Sequence, residues 1–478
     1  MLIGRYFKNL DPKFKNHYFS GLAFNSKLCK KNSIFFAVRG TNQNGNKFIN
    51  EAVKRGARTI VSDKKFQGFK KEVLYLRCQN VRKLLAETAY RVFSKKPKNL
   101  TAVTGTNGKS SIANFYFQIL KLNKKKVASI GTLGIQTNTK NIAGSNTTLD
   151  PVQLGLKLKK LKEKNIDNVI LEASSHGLKQ NRLDGLDFKT GIFTNLSHDH
   201  LDYHKNLSHY ISSKLDLFKL HVQKNGKSLI NSDTDHFKKI RESLNRNRVN
   251  YEILSKRSKR YGIKSVNIRG NLTSAKIFIN SKLYQFNFRD FPLFQINNFL
   301  LAVVGLSLMG FNAKKMTKFS LNCPHVPGRM ELAGKKRNGG RVYVDFAHTP
   351  DALKNVLFEA KVICKGRLIV LFGCGGNRDK KKRPLMGRIA QKYSDMALVT
   401  DDNPRHENAV RIRKEIIKKS RKLIDLGDRK NAIKKSISLL KREDILIIAG
   451  KGHEKYQIIK GKHIPFDDVK VAKSYLRR

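Results

Sequence analysis

The chain has 478 residues, of which 40% are hydrophobic, so it can form several packed cores and is not a disordered protein. The formal net charge of +61 would suit a nucleic-acid-binding protein, but the lysines are dispersed and form no arginine-rich arm or basic-aromatic repeat. The five cysteines include no C-x-x-C pair, which argues against a zinc ribbon or disulfide framework, and no apolar run approaches the ~20 residues that span a bilayer.

The first 96 residues predict a small α/β domain. Asn80 is a suitable N-cap for its second helix, and the lysine-rich stretch 95–98 is the predicted linker to the next domain. The predicted elements are strands at 33–38, 59–61 and 73–76 and helices at 48–56 and 80–93.

Residues 97–325 are predicted to form a central domain around a phosphate-binding loop. An apolar strand leads into Gly-Thr-Asn-Gly-Lys-Ser at 105–110, and an apolar helical run follows. Such glycines let backbone N–H groups face phosphates, while Lys109 supplies charge and Ser110 a hydroxyl for Mg²⁺. Val103 stands where the strict consensus has glycine, so a Gly-rich turn without a ligand remains an alternative.

The rest of the central domain predicts a doubly wound sheet, in which ligands gather where strands end. The predicted elements are strands at 127–130, 168–172 and 190–194, helices at 151–164, 207–219 and 297–308, and a β-rich stretch at 249–290. Glu172 ends one strand and suits Mg²⁺, although a surface glutamate is the alternative. The run 194–204 holds three histidines and two aspartates; magnesium with one histidine ligand is favoured over zinc because no cysteine accompanies them.

Residues 326–478 are predicted to form a second, Rossmann-like α/β domain. Asp345 ends its first strand, and a glycine-rich loop at 373–376 follows its second. The predicted elements are strands at 341–345, 367–372, 397–400 and 444–449 and a helix at 351–360.

Seven motifs, in this order and spacing, resemble those of the Mur ligases, the ATP-dependent amide ligases of peptidoglycan precursor synthesis. They are TGTNGKS at 104–110, NTT at 146–148, EASSHGL at 172–178, TNL…DHLDYH at 194–204, VPGRME at 326–331, DFAHTPD at 345–351 and GKGHE at 450–454. The resemblance covers essentially the whole chain. It implies three α/β domains: a small N-terminal UDP-binding domain, a central P-loop-type doubly wound ATPase domain and a C-terminal Rossmann-like domain.

The sequence Asp-Asn-Pro-Arg at 402–405 resembles the diaminopimelate-recognition signature of this family, and the lysine-adding relatives lack its arginine. A guanidinium fork can pair bidentately with the second carboxylate of diaminopimelate. The resemblance therefore implies a ligase that adds meso-2,6-diaminopimelate to the D-glutamate γ-carboxylate of UDP-N-acetylmuramoyl-L-alanyl-D-glutamate through an acyl phosphate, with ATP as co-substrate and Mg²⁺ as cofactor.

The resemblance also assigns roles to single residues. Its catalytic positions are Lys109, Glu172, His200 and Lys214. Its metal ligands are Ser110, Glu172, His200 and Lys214, the last as an N6-carboxylysine (a carbamate). Its ATP-binding positions are Gly105, Thr106, Asn107, Gly108, Lys109, Ser110, Ser111, Asn298, Arg329 and Asp345. Its UDP-sugar-dipeptide positions are Ser26, Thr41, Asn42, Gln43, Asn146, Thr147, Thr148, Ser174, Gln180 and Arg182. Its diaminopimelate positions are Arg378, Asp402, Asn403, Pro404, Arg405, Gly450 and Glu454.

Three first-domain positions, Asn25, Lys27 and Asn44, depart from the family pattern of Asp, Arg and Asp. The alternatives are a ligase that adds L-lysine, a folylpolyglutamate synthase-like ligase, which would not need the 402–405 motif, a basic P-loop nucleic-acid ATPase and a non-catalytic relative. The expected protein is a cytoplasmic monomer that acts on small molecules, without a specific nucleic-acid partner or a membrane span.

Overall fold

The computed structural model describes residues 1–7, 10–40, 43–144, 146–196, 201–204, 206–255, 257–269, 272–289, 291–420 and 422–476. Three mainly parallel sheets of five, eight and six strands are each accompanied by helices, and a three-stranded antiparallel sheet and a hairpin complete the described part. The α/β class predicted from the sequence is therefore observed. Among the described helices, none is long and apolar enough to cross a bilayer.

The N-terminal unit is built on the five-stranded sheet. Its strands are β1 Gly21–Ala23, β2 Ser33–Phe36, β3 Ala57–Ser62, β4 Gly68–Lys70 and β5 Val73–Arg77, in the order β1-β2-β3-β5-β4, and its α-helices are α1 Ile49–Lys54 and α2 Val81–Val92. Strand β2 is buried at every position because apolar clusters cover both faces of the sheet. The Lys83 amide donates to Asn80 Oδ1 at 3.0 Å, which confirms the predicted N-cap.

The central unit is built on the eight-stranded sheet, of order β13-β12-β11-β6-β10-β7-β8-β9. Its strands are β6 Asn99–Thr104, β7 Val127–Gly131, β8 Gly134–Thr137, β9 Asn141–Ile142, β10 Asn168–Glu172, β11 Phe188–Phe193, β12 Val222–Asn231 and β13 Tyr251–Leu254. Its α-helices are α3 Lys109–Leu122, α4 Pro151–Glu163, α5 Ser175–Lys179, α6 Leu201–His204, α7 Leu207–Asp216, α8 Phe237–Arg246, α9 Leu293–Leu308 and α10 Ala313–Thr317. Helix α3 is buried from Ser110 to Leu120 because it lies between the sheet and α9.

The predicted β-rich stretch is the three-stranded sheet of β14 Tyr261–Arg269, β15 Leu272–Ile279 and β16 Lys282–Arg289, together with β13 of the main sheet. Alternate residues of β15, such as Ala275 and Ile277, are buried against the core. Two predicted helices of the central unit differ from the observed ones by three residues or more at one end. Helix α9 begins four residues early, directly after Pro292, which is its N-cap and has an extended backbone with ψ of 149°. Helix α7 ends at Asp216, and a π-helical turn over Leu217–His221 replaces its predicted end.

The C-terminal unit is built on the six-stranded sheet, of order β17-β18-β22-β19-β20-β21. Its strands are β17 Glu331–Lys335, β18 Arg341–Asp345, β19 Leu368–Phe372, β20 Met396–Thr400, β21 Leu423–Gly427 and β22 Ile445–Ala449, followed by the hairpin of β23 Tyr456–Ile459 and β24 Lys462–Pro465. Its α-helices are α11 Pro350–Ile363, α12 Lys382–Tyr393, α13 Ala409–Ile417, α14 Arg429–Ser438 and α15 Asp468–Leu476. Strands β19 and β22 are continuous apolar runs because helices cover both faces of this parallel sheet.

Candidate active site

The predicted phosphate loop connects β6 to α3. Gly105 and Gly108 have φ values of +146° and +84°, which favour glycine, and a Cβ at Gly105 would overlap the Thr194 hydroxyl. The Thr106 amide donates to Asn195 O and the Asn107 amide to Asn195 Oδ1, both at 2.9 Å. These two amides therefore fix the loop against the end of β11 and do not face a phosphate in this arrangement.

Two lysines meet at the carbonyl of Gly105. Lys109 Nζ donates to Gly105 O at 2.9 Å and to Thr106 O at 2.7 Å. Lys214, on α7, is 1% exposed; its Nζ donates to Gly105 O at 2.6 Å and lies 4.3 Å from the centroid of the Tyr210 ring. The structure thus brings Lys214 to the phosphate loop, 105 residues away in sequence from Lys109.

Glu172 lies beside the loop at the end of β10 and is buried. Its Oε2 accepts from the Ser110 hydroxyl at 2.9 Å and from the Thr132 hydroxyl at 3.1 Å, while Oε1 accepts from the Thr132 amide at 2.8 Å. A Cβ on Gly131 would overlap Glu172 Oε1, so a side chain there would displace the carboxylate. One carboxylate and two hydroxyls are the hard oxygen donors that Mg²⁺ prefers, so the residues present fit this ion.

His200 lies outside the described residues. Within the described part of the chain, no three histidine, cysteine, aspartate or glutamate side chains come together as a metal-binding group. The metal roles of Ser110, Glu172, His200 and Lys214 therefore stay predictions.

Residues from two units complete a cleft of about 960 Å³. Arg329 Nη2, in the C-terminal unit, donates to Ser110 Oγ at 3.2 Å, and the guanidinium lies 4.7 Å from the centroid of the Phe346 ring. Asp345, at the end of β18, accepts from the Met330 and Ala347 amides, both at 2.7 Å. Burial raises the pKa of the Asp345 carboxyl, and the nearby Arg329 charge opposes this rise. Residues on the cleft wall that were predicted to bind ATP are Thr106, Asn107, Gly108, Lys109, Ser110, Ser111, Asn298, Arg329 and Asp345.

The predicted muramoyl-dipeptide residues mostly lie together next to Glu172. The Thr147 and Thr132 hydroxyls are 3.1 Å apart, and the Thr148 hydroxyl donates to Glu172 O at 2.8 Å and lies 3.0 Å from Ser174 Oγ. Asn146 is exposed.

The other residues predicted to bind this substrate lie partly in the central unit and partly in the N-terminal unit. Arg182 Nη2 donates to Gln180 Oε1 at 2.7 Å and its Nη1 donates to Thr148 O, so these two residues join the cluster next to Glu172. In the N-terminal unit, the Ser26 hydroxyl donates to Glu51 Oε2 at 2.8 Å, so a uridine contact would compete with that bond. Gln43 is exposed, and the predicted positions Thr41 and Asn42 lie outside the described residues.

The predicted amine-binding residues meet where β20 and β22 of the C-terminal sheet end. Asn403 Nδ2 donates to Glu454 Oε2 at 2.9 Å, and Arg405 Nη1 donates to Gly376 O at 2.9 Å. Gly450 has a φ of +114°, and a Cβ there would lie 2.6 Å from Asp402 Oδ2. Pro404 is buried between these residues in the chain, and Arg378 is exposed.

Sequence reasoning missed three buried cations that support these loops. Lys451 Nζ is 3.1 Å from Asn403 Oδ1 and 3.0 Å from Glu454 Oε2. Arg429 Nη2 donates to Asp468 Oδ2 at 2.7 Å and to Ala449 O at 3.0 Å, and Nη1 donates to Asp401 O at 3.2 Å. Arg383, fully buried, pairs with Glu407 and Glu415. No sequence signal distinguishes them among 97 lysines and arginines, because most of their partners are distant in sequence.

The Arg383–Glu407 pair predicts an acid-sensitive C-terminal unit. The pKa of Glu407 is lowered to about 2, and the largest cause is its pair of hydrogen bonds with the buried Arg383. We expect Glu407→Gln to lower the free energy of unfolding by about 2 kcal/mol at pH 7, because it leaves part of a buried charge unpaired. An unfolded glutamate titrates near pH ~4.3, so the wild type loses this stabilisation as the pH falls from about 5 towards 2.

Urea denaturation at pH 7 and pH 3 measures this difference. The gap between the wild type and Glu407→Gln should be smaller at pH 3, and a gap independent of pH would contradict the assignment. The control is Glu163→Gln, which removes an exposed pair with Lys159 at 3.8 Å and should change stability by less than ~1 kcal/mol.

Two protein-family models match this chain. The Mur ligase middle domain matches residues 103–306, and the model described as "Mur ligase, glutamate ligase domain" matches residues 328–452. The first match contains Lys109, Glu172 and Lys214, and the second contains Asp345 and Arg405.

Similar full-length proteins and structures are known. The chain is 40% identical over 478 residues to the UDP-N-acetylmuramoyl-L-alanyl-D-glutamate–2,6-diaminopimelate ligase of Rickettsia prowazekii (strain Madrid E), covering 98% of each chain. It is 36% identical over 460 residues to the protein of the same name from Agrobacterium fabrum, covering 95% of this chain and 93% of that one. A solved structure described by the same name has a TM-score of 0.70 at 29% identity, covering 98% and 97% of the chains.

More distant structures share the fold. The MurF ligase from Thermotoga maritima in complex with ADP has a TM-score of 0.63 at 18% identity and covers 95% of this chain and 97% of that one. The folylpolyglutamate synthase of Mycobacterium tuberculosis complexed with ADP has a TM-score of 0.64 at 12% identity and covers 76% and 91%.

Proposed function

This chain belongs to the Mur ligase family, as its motifs predicted, and we propose that it joins meso-2,6-diaminopimelate to UDP-N-acetylmuramoyl-L-alanyl-D-glutamate in an ATP-dependent reaction of peptidoglycan precursor synthesis. The choice of diaminopimelate as the amine rests on the position of Arg405, whose guanidinium lies beside the Asn403–Glu454 pair in the C-terminal unit. Its position supports recognition of a second carboxylate, which diaminopimelate has and lysine lacks.

The reaction has two steps. The D-glutamate γ-carboxylate attacks the γ-phosphorus of ATP, which releases ADP and forms an acyl phosphate. The diaminopimelate amine, after losing a proton, attacks the acyl carbon, and the tetrahedral intermediate expels inorganic phosphate. Catalysis depends on positioning the three substrates and stabilising the charge of the transferring phosphoryl group.

The side chains of the cleft supply that stabilisation. We propose that Lys109 exchanges its bonds to Gly105 O and Thr106 O for bonds to phosphate oxygens, and that the amides at the start of α3 bind the same phosphates. Arg329 donates to Ser110 Oγ from the C-terminal unit, which supports a contact of its guanidinium with the ATP phosphates. We propose that Asp345 contacts the ATP ribose.

The residues Ser110, Glu172, His200 and Lys214 are proposed to hold Mg²⁺, which would neutralise phosphate charge when bound. An ammonium on Lys214 would repel this ion. Addition of CO₂ to the neutral Lys214 amine forms an N–C bond and releases one proton, and the resulting carbamate is an anionic oxygen ligand.

The other substrates are assigned to different units: the muramoyl dipeptide to the central unit, and the uridine and diaminopimelate to the two flanking units. Thr147, Thr148, Ser174, Gln180 and Arg182 are proposed to hold the muramoyl dipeptide beside Glu172, and the N-terminal unit the uridine. The C-terminal unit would hold diaminopimelate, with Arg405 on its distal carboxylate and Glu454 on its distal ammonium. We propose domains at 1–96, 97–325 and 326–478, a monomeric enzyme, and a cytoplasmic location that suits the free cysteines and the use of ATP.

The decisive experiment measures phosphate release with ATP, Mg²⁺ and UDP-N-acetylmuramoyl-L-alanyl-D-glutamate. We expect release to depend on meso-diaminopimelate, with L-lysine at least about 100-fold poorer in kcat/KM, because a missing buried charge pair costs roughly 3 kcal/mol. Equal rates with lysine would contradict the choice of amine. Release that requires a folate and glutamate instead would indicate the folylpolyglutamate synthase reaction, and release stimulated by RNA would indicate a nucleic-acid ATPase.

A further inference from the structure

Two guanidinium groups occupy the boundary between the N-terminal and central units. Arg82 lies in the first turn of α2, and its Nη2 donates to Arg39 O at 2.8 Å. Arg182 follows α5 and donates to Gln180 Oε1 and Thr148 O. Among the described residues, neither guanidinium has a carboxylate within ion-pair distance, although both are half-buried.

Rigid contacts hold the two arginines in place. The buried Tyr90 lies on the same helix as Arg82, and its hydroxyl donates to Arg182 O at 2.6 Å. Helix α2 also packs on α4 of the central unit. The bond from Tyr90 therefore ties the backbone of Arg182 to the helix that carries Arg82, so a ligand between the two side chains meets backbones that are already held in place.

The positive charge of Arg82 affects Arg182 and is only partly opposed by negative groups nearby. Burial lowers the pKa of both guanidinium groups, and the charge of Arg82 lowers the pKa of Arg182 further. Asp150 and the phenols of Tyr203 and Tyr90 oppose this effect on Arg182, and Tyr203 opposes it on Arg82. Like charges brought together in a partly desolvated place are unfavourable unless an anion joins them.

The position of the pair indicates the anion. Arg82 is bonded to the carbonyl of Arg39, which precedes the 41–43 stretch proposed for uridine. Arg182 belongs to the cluster proposed for the muramoyl dipeptide. In the proposed substrate these two parts are joined by a diphosphate, whose two negative charges match two guanidinium groups.

We propose that Arg82 is a further substrate-binding residue, and that Arg82 and Arg182 bind the diphosphate of the UDP-sugar from opposite sides of the boundary between the units. This inference rests on the proposed function. If Arg82 has this role, the N-terminal unit binds the diphosphate of the substrate as well as its uridine.

The test compares Arg82→Gln and Arg82→Ala with Lys83→Ala in the full chain. Glutamine keeps a donor for Arg39 O but removes the charge. Lys83 is the next residue, is exposed, and carries the same charge, so it is the matched control. Isothermal titration calorimetry with UDP-N-acetylmuramoyl-L-alanyl-D-glutamate and with UDP gives Kd, and steady-state kinetics gives KM and kcat.

We expect both Arg82 variants to weaken Kd for the UDP-sugar-dipeptide and for UDP by about 10- to 100-fold, the loss typical of a charge-assisted hydrogen bond. KM for this substrate should rise by the same factor, while kcat and KM for ATP and diaminopimelate stay within about twofold; a merely structural role would move all of them. Lys83→Ala should bind like the wild type.

If the wild type binds the UDP-sugar-dipeptide and Arg82→Gln binds it as tightly as Lys83→Ala does, this inference is overturned and the proposed function is not. Absence of binding by the wild type would instead overturn the proposed function. If Arg82→Ala does not fold, the glutamine variant still decides, because it preserves the bond to Arg39.

Discussion

Lys214→Ala is expected to reduce kcat by roughly 10³-fold while leaving the fold intact. The reason is the position of this side chain: it is buried, lies on the Tyr210 ring and reaches the same carbonyl, Gly105 O, as Lys109. Loss of one group that stabilises charge in the transition state typically costs 10²- to 10³-fold, and loss of a metal ligand adds to this.

Chemical rescue distinguishes the two forms that Lys214 can take. If it acts as a carbamate, acetate or formate should restore part of kcat to Lys214→Ala, and methylammonium should not. Rescue by methylammonium alone would show that the residue acts as an ammonium, which would contradict the metal-ligand role. Lys214→Arg keeps the positive charge but cannot form the carbamate, so it should be as inactive as the alanine variant.

The control for Lys214 is Lys219→Ala, in the π-helical turn that follows α7. This lysine is half-buried and has no place in the proposed reaction, so its replacement should keep kcat within about twofold. A Lys214→Ala variant that retains more than a tenth of wild-type kcat would remove the residue from the catalytic assignment.

Arg405→Ala is expected to raise KM for diaminopimelate by about 10²- to 10³-fold, the cost of removing one partner from a buried charge pair. Kd for ATP should stay within about twofold, because the described polar contacts of Arg405 all lie in the C-terminal unit, at Gly376, Asn403, Ile458 and Lys460. The preference for diaminopimelate over lysine should shrink by the same factor as the rise in KM.

The backbone at Arg405 requires a second variant. Its φ of +54° lies in the left-handed region, which costs a residue with a Cβ, arginine and alanine alike, about 1 kcal/mol relative to glycine, so Arg405→Ala keeps the backbone strain of the wild type. Arg405→Gly therefore removes the guanidinium without that strain, and it should show the same rise in KM as Arg405→Ala. If the glycine variant recognises diaminopimelate normally, the loop conformation and not the guanidinium selects the amine. The exposed Arg411, replaced by alanine, controls for the loss of one charge.

The sequence predicted those parts of the site that depend on short segments. The 105–110 loop could be predicted because a strand precedes it, an apolar helix follows it, and glycines stand at the two loop positions, Gly105 and Gly108, whose φ is positive. The placement of Glu172 followed from its position at the end of a buried strand. The α/β class followed from strand and helix patterns, and family membership from seven motifs in order.

Contacts between distant segments could not be predicted in this way. Nothing near Thr132 indicates that its amide and hydroxyl both bind Glu172, 40 residues later. Asn195 belongs to the 194–204 motif, but nothing in that motif indicates that it accepts from two amides of the phosphate loop. The GKGHE motif includes Lys451 but does not indicate that this lysine is fully buried, whereas Lys455, four residues later, is exposed.

The buried Arg429–Asp468 pair constrains when the amine site can form during protein synthesis. The Arg429 guanidinium joins three segments, because it donates to the carbonyl oxygens of Asp401 and Ala449 and to the carboxylate of Asp468, the first residue of α15. A nascent chain that stops before residue 468 leaves this cation buried without its carboxylate, which is strongly unfavourable. Both loops proposed for diaminopimelate therefore gain their final support only after α15 has left the ribosome, later than the phosphate loop, whose partners are complete by Arg329.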